Sequence, residues 1–429
     1  MPSWLRRALA PDSPLRQNAL ALADQGTVSA TRLLLSILVG RALGADGLGH
    51  YALALTLVYL VEGVVETLAT LPYTVLRRQS DAASAYTGSV LVLTGAIGLA
   101  IGVVVAVCAL TLASSLQPVL LVLSVALVAR ALAEAARRIA FAHERIADAL
   151  ALDLALAVIL GGGALALWAA GAITVPWVVG LYGLGSGIPF LAWLALRGRG
   201  RIEVRRDRLQ PDVARNWSFG RWVLGTRLTL TARMHSIPWG LAAAAGAAEV
   251  GLFDAAGKVV GLAVPVLISV ANVLTPRVAR ALHESGVAAV RREILLTTGA
   301  LVALTSALVV LLTLGADLAL GTLFGPEFEG QRLLVMLLGI GLVIESIGIP
   351  ADAGLWAIER PRVGFWIGLV ALVVLAGVGA YLVPTYGAVG AAGALAAASG
   401  TAAILQLVAF LKLSAEPDAA VAEPAEDVA

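Results

Sequence analysis

Apolar runs of about twenty residues recur along almost the whole 429-residue chain, broken only by short turns that hold Gly, Pro or charge. A run of that length crosses the roughly 30 Å hydrocarbon core of a bilayer as one α-helix. In lipid, only helices and closed barrels satisfy their own backbone hydrogen-bonding groups. Runs near residues 19–41, 51–73, 86–113, 116–136, 148–170 and 174–196 predict a first set of spans, and runs near 218–242, 250–278, 293–315, 331–350, 363–383 and 387–412 a second. The expected fold is therefore all-α and polytopic, with about 12 transmembrane helices. Composition agrees, because 14% charged residues fall well short of the roughly 25% that a soluble domain carries on its surface.

The turns alternate in charge. One set holds Arg6, Arg7 and Arg16; Arg77 and Arg78; Arg137, Arg138 and Arg145; Arg197 through Arg215; Arg277, Arg280, Arg291 and Arg292; Arg360 and Arg362; and Lys412. The intervening turns (GADGLG, SSLQP, AAGAITVP, GAAEVG, FGPEFEG and PTYG) are nearly free of Lys and Arg. Cytoplasmic loops carry the Lys/Arg excess, so the expectation is a multi-pass protein of the cytoplasmic (inner) membrane with both termini inside. The N-terminal segment has basic residues but no apolar stretch before its Ala-Leu-Ala, which fits a cytoplasmic tail rather than a cleaved signal. The predicted organisation is a tail at 1–18, a first lobe at 19–196, a basic cytoplasmic linker at 197–217, a second lobe at 218–412, and a disordered acidic, Pro/Ala-rich tail at 413–429.

The two lobes repeat. GADGLGHYALAL leads through an apolar stretch to TLPYTVLRR, and GAAEVGLFDAAG leads through a similar one to LTPRVAR, so Gly49 and Pro72 correspond to Gly251 and Pro276. FAHER (Phe141 to Arg145) recurs as WAIER (Trp356 to Arg360), and GTVSATR at Gly26 echoes GTRLTLTAR at Gly225. An even number of spans per half makes this a parallel repeat about an axis along the membrane normal, with a substrate site expected between the halves.

Charges inside the spans carry the functional information. A charge at the bilayer centre costs about 2.5–3.5 kcal/mol on insertion scales, so it normally faces a wet cavity or a partner. Gln25, Ser29, Arg32 and Ser36 fall on one helical stripe, and Thr226, Thr229, Arg233 and Ser236 repeat it, with Arg227 and His235 added. Tyr59, Glu62, Glu66, Thr70 and Tyr73 share a face of the second span; Asp254, Lys258, Ser269 and Asn272 share one in its repeat mate. Such stripes fit the lining of a water-accessible cavity. The competing reading is a set of ion pairs joining helices, Arg32 with Glu62 or Glu66 and Arg233 with Asp254. Glu345 and Asp352, flanking Pro350, are weaker cavity candidates.

Other chemistry finds little support. The single Cys108 excludes intramolecular disulfides and cysteine metal clusters. His50, His143, His235 and His283 lack metal-ligand spacing, and no phosphate loop or nucleophile elbow is present. No catalytic residues, cofactor or nucleic-acid partner are expected. Gly183-x-x-x-Gly187 matches a helix-packing pattern, but glycine is so common here that the match says little. The Asn216-Trp217-Ser218 sequon falls in a loop expected inside.

Several segments carry a family resemblance: GRALGADGLGHYALAL, GLFDAAGKVVGLAVPVLISVANVLTPRVARAL, LFGPEFEGQRLLVMLLGIGLVIESIG and VPTYGAVGAAGALA. The chain resembles, over residues 17–412, the polysaccharide-transport (O-antigen flippase, Wzx-like) branch of the multidrug/oligosaccharidyl-lipid/polysaccharide (MOP) flippase superfamily. That resemblance implies two pseudo-symmetric six-helix lobes forming a V around a central cavity, with alternating access. It implies a flippase that exports undecaprenyl-pyrophosphate-linked oligosaccharide, coupled to an ion gradient, alongside membrane lipids and other polysaccharide-assembly proteins. Arg32, Arg227, Arg233 and Lys258 would then be the cavity cations that hold pyrophosphate, Arg32 and Arg233 acting as a clamp. Glu62 and Glu66 would couple ions, and Tyr59 and Tyr73 would stack on sugar rings.

Two other readings compete. A multidrug or organic-cation antiporter of the same superfamily would want an acidic cavity, and the four cations outnumber Glu62 and Glu66. A membrane polymerase or glycosyltransferase would want a catalytic extramembrane loop, whereas the longest loop, 197–217, is short and basic and suits an anionic lipid surface.

Overall fold

The structure, a computed structural model, describes residues 14–77, 83–111, 115–198, 202–358 and 360–415. Of the predicted tails at 1–18 and 413–429, residues 1–13 and 416–429 lie outside these residues. All described elements are helices. Three continuous stretches are too long for one membrane crossing: Pro14–Val65 has 52 residues, Val264–Leu314 has 51 and Pro361–Leu413 has 53. At 1.5 Å per residue each would measure about 75–80 Å, more than twice the hydrocarbon thickness. One glycine breaks each: Gly44 (φ 66°), Gly286 (φ 73°) and Gly387 (φ 56°). Such positive-φ states with extended ψ belong almost only to glycine, so the chain passes from helix to helix there without a loop.

With those breaks, twelve long helices follow one another among the described residues. They are α1 (14–43), α2 (45–76), α3 (Ala83–Thr111), α4 (Gln117–Ala142), α5 (Ile146–Ala169), α6 (Val175–Arg197), α7 (Arg206–Ala245), α8 (247–285), α9 (287–314), α10 (Arg332–Ala357), α11 (361–386) and α12 (388–413). A short helix, Ala316–Leu323, and a 3₁₀ turn, Pro326–Phe328, fill the α9–α10 connection. Eight stretches of the described residues, which take in ten of these helices, are long and apolar enough to cross a membrane; Arg227 and Arg233 lie on α7, and Asp254 and Lys258 on α8.

The repeat is visible in the turns. Gly44 and Gly246, which open the two related glycine-rich segments, both have positive φ (66° and 91°). After α4, Arg145 N–H donates to Ala140 O at 2.9 Å and Arg145 O accepts from Asp148 at 3.0 Å; after α10, Arg360 N–H donates to Leu355 O at 2.9 Å and Arg360 O accepts from Val363 at 3.2 Å. FAHER and WAIER thus end on the same hydrogen bond, from the arginine N–H to the carbonyl five residues before it. The second helix of each half is also interrupted, by a π-turn at Glu66–Thr70 in α2 and by a turn at 262–263 in α8.

Packing divides the chain into two compact units, residues 1–231 and 232–429, so the boundary falls within α7. In the first unit, small residues bring helices together. A Cβ on Gly98 would lie 3.0 Å from Ala131 Cβ, drawing α3 to α4. One on Gly183 would lie 3.0 Å from Ala126 Cβ and one on Gly187 3.5 Å from Ala129 Cβ, so the Gly183/Gly187 pattern does seat α6 on α4. The second unit is centred on Leu274, Val278, Val290, Ile294, Leu355 and Phe410.

Helix α7 begins at Arg206, inside the segment expected to be a linker, and that segment is fastened to α3. Glu203 N–H donates to Ser84 O at 3.1 Å, and a Cβ on Gly88 would overlap the Glu203 carbonyl. Tyr86 Oη donates to Asn216 Oδ1 at 2.6 Å and Ser89 Oγ to Asp212 Oδ2 at 2.6 Å. The sequon asparagine is therefore buried and committed to a structural bond.

Candidate functional site

Helix α4 is the spine of the site. Arg130, Glu134, Arg137 and Arg138 stand at i, i+4, i+7 and i+8, so one face of the helix collects all four. Around that face, α1 brings Asp24 and Arg32, α2 brings Glu62 and Glu66, α5 brings Asp153, and α7 brings Arg227. Arg130 Nε donates to Glu62 Oε1 at 2.7 Å and its Nη2 to Glu134 Oε2 at 2.8 Å. Arg137 spans Asp24 Oδ2 at 2.5 Å and Asp153 Oδ2 at 2.6 Å. Arg138 Nε donates to Glu134 Oε1 at 2.8 Å, and its Nη2 lies 3.4 Å from Glu66 Oε1. Arg227 Nη2 donates to Glu66 Oε2 at 3.0 Å, and Arg32 Nη2 lies 3.5 Å from Glu62 Oε2. Arg32 also sits 5.0 Å above the Tyr59 ring and Arg130 5.9 Å from that of Tyr182.

The network is graded from buried to open. At its inner end the Arg130 side chain is 6% exposed and that of Glu134 5%; at its outer end Arg138 is 39% exposed and Arg227 44%. Buried ion pairs recover their desolvation cost only when every partner is hydrogen-bonded; the Arg130–Glu62–Glu134 group is so bonded, whereas Asp24 Oδ1 is buried without a hydrogen-bond partner among the described residues. Thr31, Arg32, Arg130, Asp153 and Tyr182 also line a small cavity between α1, α4, α5 and α6.

Several expected residues meet here and others do not. Arg32, Arg227, Glu62, Glu66 and Tyr59 all belong to the network. Gln25 and Ser29 are exposed while Ser36 is fully buried, so the α1 stripe is not evenly wet. Tyr73 does not face a lumen. It is 0% exposed, its hydroxyl bonds Thr87 at 2.9 Å and His143 at 3.0 Å, and its ring packs on Tyr86. In the second unit Lys258 pairs with Asp254 at 3.4 Å, one turn away on α8. Asp254 is therefore not the partner of Arg233, which is half-buried and makes no ion pair with a described residue. Glu345 accepts from Ser399 Oγ at 3.1 Å, and Asp352 lies 3.5 Å from Gln406 Nε2. The Asn272 side chain lies outside the described residues.

The residues that sequence reasoning missed are Arg130, Glu134, Asp24 and Asp153, together with the places of Arg137 and Arg138. The last two were expected in a loop after a helix ending at 136, but α4 continues to Ala142 and carries both inward. The i, i+4, i+7, i+8 spacing was the available signal. The expected excess of cations is also corrected in this unit: the five arginines of the network (32, 130, 137, 138, 227) meet five carboxylates (24, 62, 66, 134, 153).

Comparison with known proteins follows the same lines. The family described as "Polysaccharide biosynthesis protein" matches residues 38–331. No curated protein sequence matches the chain. An inward-facing multidrug resistance MATE family transporter of the MOP superfamily shares the fold with TM-score 0.71 at 15% identity, over 90% of this chain and 94% of that one. The lipid II flippase MurJ, in an inward closed conformation, has TM-score 0.70 at 14% identity over 92% of this chain and 90% of its own. A MOP superfamily transporter from Pyrococcus furiosus, described as having a binding pocket of reverse polarity, has TM-score 0.62 at 14% identity over 97% and 98%.

Proposed function

This chain belongs to the polysaccharide biosynthesis protein family, and from that premise we propose that it is a flippase for polyprenyl-pyrophosphate-linked oligosaccharide. It is a multi-pass membrane protein with the MOP transporter fold. The proposal places it in the cytoplasmic membrane with both termini inside, moving the glycan-bearing headgroup to the outer leaflet with an ion gradient as the driving force. The lipid II flippase among its structural neighbours supports a lipid-linked glycan as the substrate class.

One observation carries the reading. At the open end of the network two half-exposed arginines, Arg138 and Arg227, share the single carboxylate of Glu66. A guanidinium has five N–H donors in a planar fork, and these ion pairs occupy only part of them. Arg138 is held at Nε by Glu134 as well, and the guanidinium N–H groups left over on the open side of the pair suit a phosphate, which arginine binds bidentately. Arg32 lies deeper and is committed to Glu62, so it supports the site rather than opening it. Arg233 and Lys258 remain proposed cations of the second unit, and Glu62 and Glu66 proposed ion-coupling groups.

The antiporter reading keeps one observation in its favour, the charge balance of the network, and the multidrug transporter among its neighbours shares its fold. Binding separates the two. Purified protein should bind a short-chain polyprenyl pyrophosphate, and Arg138→Gln or Arg227→Gln should weaken it roughly 10-fold or more, the scale of a lost charge-assisted hydrogen bond. Undiminished binding by both variants, or preferential binding of an organic cation, would overturn the assignment.

A further inference from the structure

The start of α7 raises a question that the charged network does not answer. The helix has 40 residues, about 60 Å at 1.5 Å per residue, roughly twice the hydrocarbon thickness. Its first part, 206–221, holds Arg206, Asp207, Arg208, Asp212, Arg215 and Arg221, too much charge for the apolar core. This stretch must therefore stand at headgroup depth or beyond.

One side of it is fixed to the first unit. Asp212 and Asn216 bond Ser89 and Tyr86, and a Cβ on Gly220 would press on the backbone of Thr67 and Leu68. A different stripe faces outward. Arg206, Gln210, Val213, Trp217 and Arg221, at i, i+4, i+7, i+11 and i+15, are all exposed, Trp217 to 52%. Val204, just before the helix, is 60% exposed, and Arg205 beside it is also open. An apolar centre of Val213 and Trp217 between two arginines is what an interface between acyl chains and anionic headgroups selects: tryptophan sits at the boundary and arginine meets lipid phosphate.

We propose that the outward stripe of 206–221 is a seat for anionic phospholipid. Arg206 and Arg221, about 22 Å apart at 1.5 Å per residue, meet the phosphates of separate lipids at the two ends of the stripe, and acyl chains lie against Val213 and Trp217 between them. Because the opposite side of the same segment grips α3 and the π-turn region of α2, an occupied seat braces the place where Glu66 holds Arg227.

The test uses full-length protein in detergent, titrated with brominated phosphatidylglycerol or brominated phosphatidylcholine while tryptophan fluorescence is followed. The Trp217 contribution is the difference between the native protein and Trp217→Phe. The proposal expects this component to be quenched at roughly tenfold lower concentration of the anionic lipid. Arg206→Gln with Arg221→Gln should remove that preference, since each basic residue contributes a several-fold factor near an anionic surface. Arg206→Lys with Arg221→Lys should keep it, which separates loss of charge from loss of fold. An unchanged preference in the Gln variant, or no Trp217-dependent quenching, would overturn the seat. Inorganic phosphate at tens of millimolar should leave the preference in place; its abolition would assign the arginines to free phosphate and reject the lipid.

Discussion

Glu66 Oε2 accepts from Arg227 Nη2 at 3.0 Å across 161 residues of sequence, while its other oxygen lies 3.4 Å from Arg138. One carboxylate thereby joins α2, α4 and α7. Glu66 is also the first residue of a π-turn, where the wider backbone ring shifts side chains out of the ordinary helical register. Such turns concentrate at functional sites. If ligand phosphate competes with Glu66 for its two arginines, Glu66→Gln should tighten binding of a polyprenyl pyrophosphate severalfold, measured by titration of the purified variant. Weaker binding would mean that Glu66 orients the arginines rather than opposing the ligand.

The inner end of the network should behave differently from the outer. Glu62 serves Arg130 at 2.7 Å and Arg32 at 3.5 Å, so Glu62→Ala breaks a buried pair and leaves Arg130 with Glu134 alone. A loss of about 3–5 kcal/mol is expected, seen as a large drop in melting temperature in detergent. Arg227→Gln, whose partner pair is partly exposed, should cost no more than about 1 kcal/mol. Equal losses in the two variants would contradict the graded network.

Much of this architecture was readable beforehand, and the failures share a cause. Apolar length alone located the spans, and the GADGLG and GAAEVG segments marked paired turns because Gly44 and Gly246 occupy backbone states closed to other residues. Helix ends were less legible. Arg137 and Arg138 looked like loop cations because positive charge near a span end normally faces the cytoplasm; here Asp24 and Asp153, on two other helices, hold Arg137 inside. Nothing in a linear pattern specifies which carboxylates will meet it. Tyr73 failed for the same reason: its stripe predicted a lumen, but the neighbours that bury it, Thr87 and His143, come from α3 and the turn after α4.

Ion coupling is the role proposed for Glu62 and Glu66. Glu62→Gln with Glu66→Gln keeps hydrogen-bonding capacity while removing both charges, so the protein should accumulate and bind substrate yet lose gradient-driven transport. Transport by this variant at the native rate, with the gradient still required, would place the coupling group elsewhere.

Two glycine substitutions test the fold. Gly44 has φ 66°, and Gly44→Ala should cost about 1–3 kcal/mol. Gly26→Ala in the same run of helix, where nothing lies within 4 Å of the added carbon, should be neutral or stabilising. Melting temperatures of the two variants in one detergent decide it, and equal values would contradict the break at Gly44.

Gly88 tests the fastening of the linker. Its α3 backbone passes so close to the Glu203 carbonyl that Gly88→Val must push residues 202–205 away. Loss of the Tyr86–Asn216 bond should follow, and proteolysis between 198 and 206 should accelerate at least severalfold. Unchanged cleavage would show that the segment is not held there.

The most direct test of the central claim is translocation itself. Purified protein would be reconstituted in vesicles carrying a fluorescent polyprenyl-pyrophosphate oligosaccharide, and the share of glycan open to a membrane-impermeant glycosidase would be followed over time. The flippase account predicts that glycan from the protected leaflet becomes cleavable within minutes, and that Arg138→Gln or Arg227→Gln slows this at least tenfold. Vesicles in which the protected share stays constant, while the same protein drives efflux of an organic cation, would contradict it.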